Sequence, residues 1–300
     1  MAKSDKIGII TQDNNSTGES PVWDPIKRRL IWVDIDNALV FQFLPLKKEK
    51  TIISHDLSVA SVALNQDGRL IFAGNEGLYL WRGEDDYKKI VAEYDDELLC
   101  FNDMIAGPNG QIYAGTLYWG NNGMEKTGKL YIIRPDLSIS VMEDNINLSN
   151  GLGFSCDGSK LYYTDSGRRC IFIYDVDCLT GDLKNRRIFI KIPSDEGIPD
   201  GLTVDIEGFI WSALWYGGQV VRYDPDGKVQ RRIPVPAKQV SSVMLGGDDM
   251  MSLYITSASQ YWPSSLVPCK FDLAAHMGGS LYMARVEVPG KSEYMADFKV

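Results

Sequence analysis

Histidine is almost missing from this chain: His55 and His276 are the only two in 300 residues. That scarcity leaves no imidazole cluster for a transition metal. It also weakens any Ser-His-Asp reading, because no G-x-S-x-G elbow is present and neither histidine falls at the convergent positions described below. Cysteine is sparse and odd in number, the five being Cys100, Cys156, Cys170, Cys178 and Cys269. Without regular spacing or a C-x-x-C pair they form neither a disulfide framework nor a zinc ribbon, and they fit a reducing compartment, the cytoplasm. There is no P-loop, and no G-x-G-x-x-G that follows a strand and opens a helix. No stretch approaches the length of apolar run that spans a bilayer, and MAKSDKIGII lacks the apolar centre of a signal peptide. Positive charge is short as well: 31 Lys and Arg stand against 40 Asp and Glu, a net charge of -9, which argues against nucleic acid and anionic membranes as partners.

What the chain does have is a repeated apolar-aromatic strand, usually entered through a tight turn. Its copies are RRLIWVD (28–34), GRLIFAG (68–74), GQIYAGT (110–116), SKLYYTD (159–165), GFIWSAL (208–214) and MSLYITS (251–257). With Leu30, Leu70, Ile112, Leu161, Ile210 and Leu253 as equivalent anchors, the intervals are 40, 42, 49, 49 and 43 residues. A strand-built repeat of that length is one four-stranded propeller blade. Six copies predict an all-β, six-bladed β-propeller of four-stranded antiparallel blades around a central channel, with residues 1–300 as a single domain. A second strand follows each repeat strand, as in GLYLWRG and GKLYIIRP, and outer strands such as KKIVAEY and RRIFIKI follow those. Residues 5–11 are expected to complete blade six from the other end of the chain, and the tail EYMADFKV is expected to be a strand.

Stepping back 10 or 11 residues from each anchor reaches the strand that should face the channel. The aligned positions there are Glu19, Val59 or Ala60, Asn102, Asn150, Asp200 and Ser242. Taken singly, Asn150-Gly151 and Asp200-Gly201 read as ordinary turn dipeptides. Taken at one repeat phase, two carboxylates and two carboxamides converge on one axis with no Lys or Arg among them. Buried carboxylates need a partner, and an all-oxygen set suits a hard divalent cation such as calcium or magnesium. A cation there would activate a water or polarise an ester carbonyl, with Asp200 as candidate general base.

TGESPVWD (17–24), FND (101–103), SNGLGFSCDG (149–158), YYTDSG (162–167) and PDGLTVDIEGFIW (199–211) resemble, in order and over nearly the whole chain, the senescence-marker, gluconolactonase and luciferin-regenerating enzyme family, the regucalcin-like proteins. The resemblance implies a six-bladed propeller that opens lactones with one divalent cation, calcium foremost and magnesium, manganese, zinc or iron as alternatives. It implies that Glu19, Asn150 and Asp200 are the metal ligands, that Asn102 contacts substrate near the metal, and that Asp200 activates water. The expected partner is a small lactone or ester, the expected assembly a monomer or weak dimer.

The chain departs from that family at its specificity positions. Sugar-acid lactonases of the family commonly carry an Arg two residues before the Asn of the FND motif, where this chain has Cys100. They commonly carry an acidic residue after the third repeat strand, where Leu117, Tyr118 and Trp119 stand. With Trp215 and Tyr216 after the fifth repeat strand, and Tyr261 and Trp262 after the sixth, an aromatic pocket is expected, lined by Cys100, Tyr118, Trp119, Trp215 and Tyr261 and favouring a less sugar-like substrate. Each aromatic taken alone reads as inter-blade packing; their clustering on the loops after the repeat strands is what brings in the pocket. Two loops, 117–127 and 258–276, are long enough to roof the channel mouth. A phosphoester or fluorophosphate hydrolase on the same metal, or a non-catalytic calcium-binding or interaction propeller, are the competing readings.

Overall fold

The computed structural model describes residues 7–84, 86–120 and 123–299. Six four-stranded antiparallel sheets stand around a channel as the blades of a propeller. Their inner strands are Gly18–Asp24, Val59–Leu64, Phe101–Ala106, Ser149–Phe154, Ile198–Val204 and Val240–Gly246. The six anchors lie on the second strand of each blade, and all are 0% exposed. Apolar clusters fill the space between neighbouring blades; one joins Leu130 and Tyr113 of blade three to Phe154, Leu161 and Tyr163 of blade four. Both faces of each sheet are buried against a neighbour, so the strands read as continuous apolar runs instead of alternating ones.

Blade six is built from both ends of the chain. Ile7–Thr11 pairs antiparallel with Leu281–Arg285 as its outermost strand. That is the expected closure; Asp5 and Lys6 lie outside the described residues. The expectation for the tail does not hold. The described part of that tail, residues 293–299, forms no strand but crosses the far end of the ring in extended, irregular form, and Val300 lies outside the described residues. The Ala296 amide donates to Leu64 C=O at 2.8 Å, the Asp297 amide to Gly110 C=O at 2.9 Å, and Asn65 brackets Phe298 with bonds of 3.0 and 2.9 Å. The fourth strand position of blade six is already taken by the N-terminus, which leaves the tail no ladder to join.

All six inner strands break register at the same phase. The breaks fall between Glu19 and Val22, Val59 and Ser61, Phe101 and Asp103, Ser149 and Leu152, Pro199 and Leu202, and Val240 and Val243. A bulge interrupts the ladder, frees backbone N–H groups and re-aims side chains, and here it does so at the channel mouth of every blade. The partners of the anchors are Trp23, Leu64, Ala106, Phe154, Val204 and Leu245. Counting back equally from each gives Glu19, Ala60, Asn102, Asn150, Asp200 and Ser241. The register therefore selects Ala60 over Val59 and replaces Ser242 by Ser241.

Candidate active site

Asn150-Gly151 and Asp200-Gly201 lie inside inner strands, not in turns. Their glycines are required because neighbouring inner strands approach closely near the axis. A Cβ on Gly151 would lie 2.5 Å from Asp200 C=O, and one on Gly201 would lie 2.0 Å from Ser242 Oγ. The glycines thus let blades four, five and six close up while Asn150 and Asp200 face the mouth.

Glu19, Asn102, Asn150 and Asp200 line one cavity of about 580 Å³ at that mouth. A chain of hydrogen bonds fixes the amides. Ser166 Oγ donates to Pro199 C=O at 2.5 Å and accepts from Asn150 Nδ2 at 2.8 Å. That orients the Asn150 carbonyl oxygen toward Asn102, whose Nδ2 donates to it at 2.8 Å and to Ser149 C=O at 2.7 Å. One lone pair of Asn150 Oδ1 remains for a further partner. Glu19 accepts from the Ser20 amide at 3.0 Å, and Asp200 accepts from the Gly201 amide, both N–H groups released by the bulges.

The charges are uncompensated. Burial, and next the neighbouring Asp103, push the Glu19 carboxyl up to about 8. Burial, and then Glu19 and Asp103, hold Asp200 well above the usual carboxylate range. Glu19 is half-buried, with an edge open to the cavity. Asp103, one residue past the repeat phase, escapes the sequence argument. It accepts from Ser61 Oγ and the Met104 amide, both at 2.8 Å, and burial lifts it to about 6. None of these three carboxyls draws on a Lys or Arg.

Two carboxylates and a carboxamide oxygen converging without a counter-ion fit a hard divalent cation. Among the described residues no group of three or more His, Cys, Asp and Glu is arranged to hold a metal; the donor set here is complete only when the Asn150 oxygen is included.

The remaining lining falls into an aromatic and a polar patch. Trp119, Trp215 and Trp262 form the first, with the Trp119 and Trp262 rings 4.2 Å apart and Trp215 and Trp262 at 6.4 Å. They come from the hairpin Tyr118–Gly120 with Gly123–Lys126, from the end of strand Ile210–Trp215, and from the 258–276 loop. So the two long loops do meet over the mouth. The other expected pocket residues stand behind that lining. The Cys100 thiol points to Asn75 C=O at 3.4 Å, and burial raises it, as befits a packing thiol and not a nucleophile. Tyr118 donates to Leu98 C=O at 2.8 Å, and Tyr261 stacks on Phe271 at 6.1 Å. Strand alternation explains Tyr118: with Trp119 turned inward, its neighbour turns away. Thr17, Asp36 and Gln260 form the polar patch; they lie on turns and loops outside the repeat, where no periodicity marked them.

The fold and the mouth define a six-bladed propeller with an oxygen-lined, acidic cleft. The chain belongs to the SMP-30/gluconolactonase/LRE-like family, whose profile matches residues 17–259. It is 33% identical over 283 residues to the pentonolactonase XacC of Haloferax volcanii, covering 94% of this chain and 95% of that one. It is 34% identical over 259 residues to regucalcin of Bos taurus, covering 84% and 87%. Among solved structures, a luciferin-regenerating enzyme superposes with a TM-score of 0.88 at 27% identity, covering 98% of this chain and all of that one.

Proposed function

We propose that this protein is a divalent-cation-dependent hydrolase that opens a lactone or a related carboxylic ester. The observation that carries the reading is the convergence of Glu19, Asn150 and Asp200, two carboxyls without a counter-ion and one aligned carboxamide oxygen, in a cavity large enough for a small ring. The named activity of the pentonolactonase relative supports the reaction class.

Glu19, Asn150 and Asp200 would hold the cation, calcium foremost. When bound, it would supply Lewis-acid polarisation of the carbonyl and lower the pKa of water. The chain's own residues do the rest. Asp200 lies where it can take a proton from the attacking water and return it to the leaving ring oxygen. Asn102, fixed by Ser149 and Asn150, borders the reacting carbonyl as an amide contact. The three tryptophans exclude bulk water and stack against the ring, which favours a less sugar-like face on the substrate.

The test is a panel of lactones and aryl esters on chelated protein refilled with calcium, magnesium, manganese, zinc or iron. Chelation is expected to abolish hydrolysis and one cation to restore it. Asp200→Ala is expected to lose cation affinity and at least about 100-fold in kcat/KM, as removal of a ligand and a base together requires. Full occupancy and wild-type turnover in that variant would sink the assignment.

A further inference from the structure

The polar patch of the same mouth has a built geometry of its own. Asp34, 2% exposed, receives the Ser16 and Thr17 amides on its two oxygens, each at 3.0 Å, and so fixes that loop. The loop then delivers two hydroxyls to Asp36: Ser16 Oγ lies 2.8 Å and Thr17 Oγ1 2.7 Å from Asp36 Oδ2. Ser16 Oγ also lies 2.8 Å from Gln260 Oε1. Gln260 is held from behind, its C=O accepting from the fully buried Gln239 at 2.7 Å. Two hydroxyls have two protons for these three acceptor contacts. The Ser16 proton can go to Asp36 or to Gln260 but not to both, so one of the three contacts carries no proton, and Asp36, itself exposed, keeps acceptor capacity toward the cavity. Among the described residues Asp36 Oδ1 makes no hydrogen bond, and no ion pair covers this carboxylate. Asp36, Thr17 and Gln260 all line the cavity that holds Glu19, Asn150 and Asp200.

We propose that Asp36, supported by Thr17 and Gln260, is a specificity-determining residue that accepts hydrogen bonds from one or two hydroxyls of the substrate. The inference rests on the hydrolase reading above and adds a second requirement to it. The aromatic patch offers only contact area to the substrate, so it discriminates weakly; a preformed carboxylate with one oxygen open to the cavity discriminates more, because a substrate hydroxyl gains a charge-assisted hydrogen bond there that an unsubstituted ring cannot make. Anchoring by Ser16 and Thr17 means little rotamer freedom is lost when substrate arrives. The substrate is then a lactone with one ring face apolar enough for tryptophan and hydroxyls on the edge turned to blade one. The missing groups at Cys100 and Leu117 are thus answered from a different blade.

The experiment compares glucono-δ-lactone with unsubstituted δ-valerolactone on cation-loaded wild type, Asp36→Ala and Asp36→Asn. Asp36→Ala is expected to lose about 10–100-fold in kcat/KM on the hydroxylated ring, the range for a hydrogen bond to a charged group. Its kcat/KM on δ-valerolactone should stay within about twofold. Asp36→Asn, which keeps an acceptor and the fold of the loop, should lose less. An equal fall on both substrates, or no fall on either, overturns the proposal. If wild type opens neither lactone with any cation, the hydrolase reading fails separately. Calorimetric binding of myo-inositol, a ring polyol with no carbonyl, then decides the subsite: about tenfold weaker binding in Asp36→Ala supports it, and unchanged or undetectable binding by wild type overturns it.

Discussion

Gly201 sets how closely the acidic residues can gather. Its added Cβ would meet Ser242 Oγ at 2.0 Å and Ser242 Cα at 2.7 Å, and a backbone atom cannot swing aside. Gly201→Ala is expected to destabilise by about 1–3 kcal/mol, the range for overpacking, and to weaken calcium binding by displacing Asp200. Gly8→Ala, where an added Cβ would meet only Met283 C=O, at 3.9 Å, is the control. Thermal unfolding and calcium calorimetry read both effects; wild-type values in Gly201→Ala would show that the strands are not pinned there. At this scale Glu19, Asn102, Asn150 and Asp200 were legible because each stands at a fixed distance from a repeating anchor. Asp103 was not, since side-chain direction resets at a bulge and one residue's difference decides which way a carboxylate points. Asp36 was hidden by its type: Asp before Asn in a four-residue connection is ordinary turn chemistry, and only the folded loop shows hydroxyls from Ser16 and Thr17 meeting it.

Strands were the most readable elements, since apolar runs bounded by turn residues report burial on both faces directly. Their bulges were not, because a bulge is a relation between two strands and has no signature in either alone. The roof was half readable. Loop length marked 117–127 and 258–276, and the aromatic content marked tryptophan, but which aromatics face inward depends on the pleat of the hairpin. Trp119 points in and packs, tilted, against Trp262, while Tyr118 points out and carries Lys126 over its ring at 3.8 Å. Trp119→Ala should therefore raise KM by about tenfold through lost stacking area, leave kcat within about threefold, and leave calcium affinity unchanged. Tyr118→Phe should alter neither KM nor kcat. Steady-state kinetics on a lactone substrate checks this pair; matched effects of the two changes would mean that the roof acts as a unit and not through the inward ring.

At the scale of the whole molecule, closure of the ring concentrates acid at its axis. Both ends of the chain tie the ring shut: the first strand completes blade six, and the tail spans blades two and three. The channel this creates holds Glu19, Asp103 and Asp200, all lifted above their usual range chiefly by burial. A carboxyl whose folded pKa exceeds its unfolded one binds more protons in the native state, so its contribution to stability falls as pH rises. For Glu19 the window runs from 4.5, the ordinary value, to about 8, and for Asp103 from 3.8 to about 6. The strongly depressed surface carboxyls, such as Asp67 and Asp249 at about 2, act in the opposite sense but below 3.8, outside that window. In chelated protein the unfolding temperature should therefore decline steadily from pH 5 to pH 8, with Asp200, lifted in the same direction, adding to the fall. A bound cation replaces the protons as counter-charge, so saturating calcium should flatten the slope and give its largest stabilisation at the alkaline end. Glu19→Gln should remove most of the decline between pH 6 and pH 8 in the chelated state and most of the calcium response with it. Thermal melts across pH, with and without calcium, decide the matter. A chelated protein whose stability is level or rising over that range would mean the channel carboxyls are solvated after all, and the electrostatic case for a cation at the mouth would go with them.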